Sequence, residues 1–200
     1  MITVYHAPMT RSVRVRWLLE ELGLPHEVAA RARAELKEPE HLALHPLGKV
    51  PVLRDGDLVL FESGAIVQYL LETYGHGRLE PARGSHERPA FLQWSHFAEA
   101  SLMPPLGQIV QHTRIRPPEE RIAAVVTDAT RVAGLALRVV EEALAGRDWL
   151  VREFSAADVM MGYGVALANL LRLLTDDFPN LQGYLARCEA RPAFRRSIAT

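Results

Sequence analysis

Apolar residues alternate or fall in short runs over the first third of the chain, then recur at helical spacing. Residues 2–5 (Ile-Thr-Val-Tyr) read as a strand and 6–10 as a turn. Over 11–22, Val13, Val15, Trp17, Leu18 and Leu22 form a stripe broad enough to bury against a sheet, and Gly23 stops the helix. Residues 25–30 give a second strand, so strand, helix and parallel strand make a right-handed crossover. The charged, weakly periodic stretch 31–44 reads as either helix or irregular chain. Residues 50–53 (Val-Pro-Val-Leu) and 58–61 (Leu-Val-Leu-Phe) are strands joined at Asp55-Gly56, a two-residue hairpin signal. Ser63 caps a helix whose Ile66, Val67, Leu70 and Leu71 share one side. A βαβαββα unit closes near Tyr74.

Strand signals then stop. Residues 77–84, with glycine, proline and mixed charge, read as a linker between an α/β domain, 1–76, and an all-α domain, 85–200. Residues 87–110 are helical with a disturbance at Pro104-Pro105, since two prolines remove two donors. Pro117-Pro118-Glu119-Glu120 reads as a proline-led start for a helix running to about 145, with Ile122, Val125, Val126, Ala129, Val132, Ala133, Ala136, Val140 and Leu144 inward. Ser155 and Asp158 have capping-box spacing and open a helix through 171. Residues 179–190 and 192–198 supply the last helices.

Composition narrows the functions open to such a chain. With 200 residues and 48% hydrophobic content, it can bury a substantial core. A net charge of -1 offers no basic field for nucleic acid or anionic lipid. The single cysteine, Cys188, leaves no disulfide, no CxxC pair and no cysteine zinc site, and no metal is expected. No apolar run approaches the ~18 residues of a membrane span, and the first residues lack a signal-peptide plan. A soluble cytoplasmic protein is the natural expectation.

Three places carry candidate chemistry. A proline opening a strand costs a ladder donor, which leaves two readings of Val50-Pro51. One is a cis bond that turns the Val50 carbonyl and N–H outward, toward an extended peptide ligand; the other is a trans proline on an edge strand. Glu62-Ser63 pairs a carboxylate with a helix N-terminus, a match for the ammonium and carboxylate of an amino-acid head group; an ordinary capped helix is the plain alternative. Thr10 lies where the first helix begins, with Ser12 two residues on. A hydroxyl and free N–H groups there suit an external thiolate, since helix N-termini lower thiol pKa values, although threonine is also an ordinary cap. Arg11 and Arg14 either add positive charge there or sit on the surface. His96 and His112 lack ligand spacing, and Asp158 reads as structural.

The residues also resemble a known family. Residues 5–23 (Tyr-His-Ala-Pro-Met-Thr-Arg-Ser through Glu-Glu-Leu-Gly) look like the opening of bacterial cytosolic glutathione S-transferases of the serine/threonine type. Gly-Lys-Val-Pro-Val-Leu at 48–53 and Leu-Phe-Glu-Ser-Gly-Ala-Ile at 60–66 look like their glutathione signature. Phe-Ser-Ala-Ala-Asp at 154–158, Phe-Pro-Asn-Leu at 178–181 and Ala-Arg-Pro-Ala-Phe at 190–194 look like their helical domain. The resemblance implies a thioredoxin-like N-terminal domain, a helical C-terminal domain, a homodimer and cis geometry at Pro51. It implies that Val50 bonds the cysteinyl backbone of glutathione, that Glu62 and Ser63 hold its γ-glutamyl head, and that Lys49 and Lys37 make further contacts. Thr10 falls where serine-type classes place the activating hydroxyl, with Ser12 as the alternative. It also implies an electrophile pocket between the domains, with Trp94, Phe97, Met103, Leu106 and Tyr163 as candidate walls. In several related classes an acid from the partner subunit reaches the γ-glutamyl amine, which makes Glu99 a candidate.

The function expected is conjugation of glutathione, as co-substrate, to small hydrophobic electrophiles. Glutathione-dependent disulfide or peroxide reduction on the same site is a second reading, because two glutathiones can exchange without a protein cysteine. A non-catalytic carrier of the same fold is a third.

Overall fold

The computed structural model describes residues 1–199, which fall into two units, residues 1–81 with 189–199, and residues 82–188. In the first unit a mixed sheet has the order β2-β1-β3-β4. Its strands are β1 (Ile2–His6), β2 (His26–Ala30), β3 (Val52–Asp55) and β4 (Leu58–Phe61). β1 runs parallel to β2, as a βαβ crossover requires, and antiparallel to β3, which pairs antiparallel with β4 across the hairpin. β1 extends one residue beyond expectation, through His6, whose carbonyl accepts the Arg31 N–H at 2.7 Å.

Helix α1 (Ser12–Leu22) presents Val13, Val15, Trp17, Leu18, Leu19 and Leu22 to the core and ends on Gly23 at φ 64°. Residues 31–44 resolve into a 3-10 turn (Glu35–Lys37) and a short helix, α2 (Pro39–Leu44), led by proline. Asp55 and Leu58 are still paired, so the turn residues are Gly56 and Asp57 rather than Asp55-Gly56. Gly56 supplies the positive φ, 58°, and Asp55 remains in the strand, where its carboxylate accepts the hydroxyls of Tyr69, at 2.9 Å, and Tyr74. Helix α3 (Ser63–Leu70) continues as a π turn (Leu71–Gly75).

The second unit is helical. α4 (Arg88–Phe97) passes through a π turn (Ala98–Leu102) into α5 (Met103–Val110). The wider turn sits just before Pro104 and Pro105, whose missing N–H groups leave the carbonyls four residues back without helical partners. Pro118–Glu120 forms only a 3-10 turn, and α6 (Ala123–Ala143) begins beyond it. The buried His112 takes the Ile122 N–H on Nδ1 at 3.1 Å, which fixes that later start, and Ile122 itself is exposed. α7 (Ala156–Leu170) opens on the Ser155–Asp158 capping box and is buried along most of its length. α8 (Pro179–Ala190) places its first N–H groups on buried Glu141, at 2.9 Å from Asn180 and 2.8 Å from Leu181. α9 (Pro192–Ile198) corrects the expected 85–200 domain: it packs on α1 in the first unit. Phe194 meets Trp17 edge-on at 4.7 Å, and Arg191 pairs with Glu21 at 2.6 and 2.7 Å. No helix among the described residues is long and apolar enough to cross a membrane.

Candidate functional site

The turn between β1 and α1 brings three polar side chains together. Thr10 Oγ1 and Ser12 Oγ are 2.6 Å apart, Ser12 Oγ lies 2.7 Å from His6 Nδ1, and Thr10 donates to the Ala7 carbonyl at 2.7 Å. The residue flanking α1 is Arg11, whose side chain makes no capping bond, and Thr10 Oγ1 takes the Ser12 N–H at 3.4 Å. Thr10 is half-buried, whereas Ser12 is fully buried. The sequence left these two hydroxyls as alternatives, and burial separates them by access. His6, read from the sequence as part of a turn, is also buried. Desolvation, helped by the charge of Arg16, lowers its imidazole to about 4.

The Val50-Pro51 peptide is cis, and Pro51 stands just ahead of the first paired residue of β3. β3 lies between β1 and β4, so the edge-strand reading of this proline does not hold. Val50 is half-buried, and the Lys49 side chain is exposed. The loop leading here is tied down from α2 and the turn before it. His41 Nε2 donates to the Lys49 carbonyl at 2.8 Å, and Lys37 Nζ to the Leu47 carbonyl at 3.0 Å. Gly48 has φ 57°, and a Cβ there would come within 2.3 Å of the Leu36 carbonyl oxygen, so only glycine lets this backbone approach so closely. Lys37 and Lys49 thus flank one loop. Burial pushes the His45 imidazole below its ordinary range, with Glu62 acting against it.

At the far end of the hairpin, Glu62 is the residue before α3, at φ 73° and ψ 111°, and Ser63 is the first helical residue rather than the cap. Glu62 is exposed and Ser63 is buried. Arg14, weighed as a surface charge, is fully buried and donates to Ser63 Oγ at 3.3 Å, linking α1 to the start of α3. A carboxylate, a serine, a guanidinium and a helix N-terminus therefore share one corner. In the helical unit, Trp94, Met103, Leu106 and Tyr163 are buried core residues, and Phe97, half-buried, meets the Trp94 ring at 5.5 Å. Glu99 lies on the π turn after α4.

His6, His41 and the bond from Arg14 to Ser63 were missed at the sequence level. Their one local signal is a histidine closing an otherwise apolar strand; the rest depends on contacts between segments distant in sequence.

Residues 1–72 match the model of the glutathione S-transferase N-terminal domain. Glutathione S-transferase GstB of Escherichia coli is 32% identical over 207 residues, spanning 99% of this chain and 98% of that protein. Glutathione S-transferase 3 of Schizosaccharomyces pombe is 30% identical over 207 residues, spanning 98% and 86%. A glutathione transferase family member from Pseudomonas fluorescens, solved with two glutathione bound, superposes with a TM-score of 0.89 at 29% identity, covering 98% of this chain and 92% of that one. URE2P8 of Phanerochaete chrysosporium, solved with oxidized glutathione, gives 0.87 at 28% identity, covering 98% and 92%. With these relatives matched along almost its full length, the chain belongs to the glutathione S-transferase family.

Proposed function

We propose that the protein is a glutathione S-transferase that binds glutathione on its first unit, holds the sulfur as thiolate and conjugates it to small hydrophobic electrophiles. The backbone of Val50, beside Pro51, pairs with the cysteinyl segment. Glu62 accepts from the γ-glutamyl ammonium, while Ser63 and the start of α3 receive its carboxylate. Lys49 and Lys37 balance the glycine carboxylate. Thr10 donates to the sulfur. Deprotonation needs no protein base, because the thiol proton passes to water and each pKa unit of lowering is worth about 1.4 kcal/mol of preference for the anion.

The observation carrying this reading is the contrast within the hydroxyl pair: Thr10 is half-buried, and Ser12, within hydrogen-bond distance of it, is fully buried. Thr10→Val is expected to lower turnover with an activated aryl chloride by about a hundredfold, in line with the loss of one aimed donor, while calorimetry shows glutathione still bound. Unchanged turnover would remove Thr10 from this role. Disulfide exchange on the same site is the second reading, favoured by the oxidized glutathione in URE2P8. Reduction of a mixed glutathione disulfide, with no thioether product from the aryl chloride, would select it. A cytoplasmic homodimer, in which Glu99 reaches the partner's γ-glutamyl amine, is the form the resemblance suggests; sedimentation tests the dimer.

A further inference from the structure

Behind Thr10 and Ser12 stands His6, with a polar partner at each ring nitrogen: Ser12 Oγ at 2.7 Å from Nδ1 and Arg16 Nη1 at 3.1 Å from Nε2. A guanidinium can only donate, so Nε2 accepts. Buried and neutral, the ring then carries its hydrogen on Nδ1 and donates to Ser12. Arg16 is itself held by the carbonyls of Ala199, at 3.0 Å, and Arg196, at 3.1 Å, which fixes its aim. Ser12 Oγ, receiving from His6, must send its own hydrogen onward, to Thr10 Oγ1 at 2.6 Å or the Ala7 carbonyl at 3.3 Å. With the Thr10 hydrogen on that carbonyl at 2.7 Å, the close contact between the two hydroxyl oxygens is held by the hydrogen of Ser12. The hydrogens therefore run one way, from Arg16 through His6 and Ser12 to Thr10.

We infer that His6, held by Arg16, is a positioning residue that sets the direction of this hydroxyl chain, so that the hydrogen of Thr10 is the one left to turn onto the glutathione sulfur. The inference rests on Thr10 being the activating hydroxyl. Run in reverse, Thr10 would donate inward to Ser12 and present only lone pairs to a thiolate. Run forward, Thr10 receives from Ser12, and an oxygen that accepts becomes a stronger donor. When its hydroxyl rotates from the Ala7 carbonyl to sulfur, the Ser12 hydrogen stays on Thr10 Oγ1. The thiol proton leaves to water, Thr10 keeps its own hydrogen, and no bond to a protein atom is made or broken.

The test titrates the thiol of bound glutathione through the ultraviolet absorbance of its thiolate, with S-methylglutathione binding as the check on site integrity. His6→Gln removes the donor at the Nδ1 position. The bound thiol is expected to titrate about one unit higher, and turnover at neutral pH to fall about tenfold, with S-methylglutathione affinity kept within about twofold. His6→Asn, whose amide N–H falls near Nδ1, is expected to recover most of the loss. A bound-thiol pKa unmoved by His6→Gln but raised by Thr10→Val overturns the role of His6 alone. A pKa unmoved by Thr10→Val overturns the reading beneath it. Should His6→Gln fail to fold, Ser12→Ala decides: it breaks the same chain one step nearer the ligand, and an unshifted thiol there overturns the inference.

Discussion

Glu62 pays a conformational cost to stand where it does. With φ 73°, its backbone lies in a region that non-glycine residues avoid, at about 1–3 kcal/mol. Glu62→Gly is therefore expected to raise stability by about 1 kcal/mol while weakening glutathione binding at least about tenfold, read from thermal melts with and without ligand. His6 sets a second expectation at this scale. Its folded-state value of about 4 lies below the ordinary 6.5, so between these two pH values the unfolded chain binds more protons. The stability linked to its neutral form is fully present above pH 6.5 and is lost as pH falls through 4, to about 3 kcal/mol at most. Urea midpoints followed across that range should drop for the wild type and drop less for His6→Asn. Thr10 and Ser12 were both legible as candidates from their place at a helix start. Thr10 stood first by its place after Pro8, while the full burial of Ser12 and its bond to His6 came only with the folded turn.

Among the elements, the capping box at α7 is the clearest case of sequence spelling out geometry. The Asp158 carboxylate accepts the Ser155 N–H at 2.9 Å, the Leu150 N–H at 3.1 Å and the Tyr184 hydroxyl at 3.1 Å, all out of reach of water. Asp158→Ala strands those donors and is expected to cost about 3 kcal/mol or more, measured by chemical denaturation. Burial raises its acid to about 6 from the ordinary 3.8, so its contribution has the opposite sign to that of His6: fully present below pH 3.8 and lost as pH rises through 6. Local patterns were read less well where two local rules compete. Asp55-Gly56 looked like the turn pair, yet Asp55 stays paired because Tyr69 and Tyr74 bind its carboxylate from the following helix. Pro117-Pro118 looked like the start of a long helix, yet the His112 ring holds the Ile122 N–H and defers the start to Ala123. The periodic stripe of α1 and the capping-box start of α7, with no such competitor, were read correctly.

On the scale of the molecule, the order of the chain and the order of its packing differ. The polypeptide leaves its first unit near Pro81, builds the helical unit, and returns at Glu189 to finish the first. Sequence order alone assigns α9 to the helices it follows, because nothing within Pro192–Ile198 names its partner. The partner is α1: Phe194 is buried against Trp17, Arg191 chelates Glu21, and the carbonyls of Arg196 and Ala199 hold Arg16. Removing this cover exposes the Trp17 ring and releases the guanidinium behind His6. Phe194→Ala is expected to cost about 3–4 kcal/mol through the cavity it leaves. Because α9 belongs to the first unit, the loss should be local to it. Hydrogen exchange on this variant should accelerate in residues 2–6, 12–22 and 52–61 while α6 and α7 keep their protection; loss confined to α6 and α7 would place α9 with the helical unit instead. The same variant should raise the pKa of the bound glutathione thiol without touching a ligand contact, since Arg16 then no longer fixes the His6 ring.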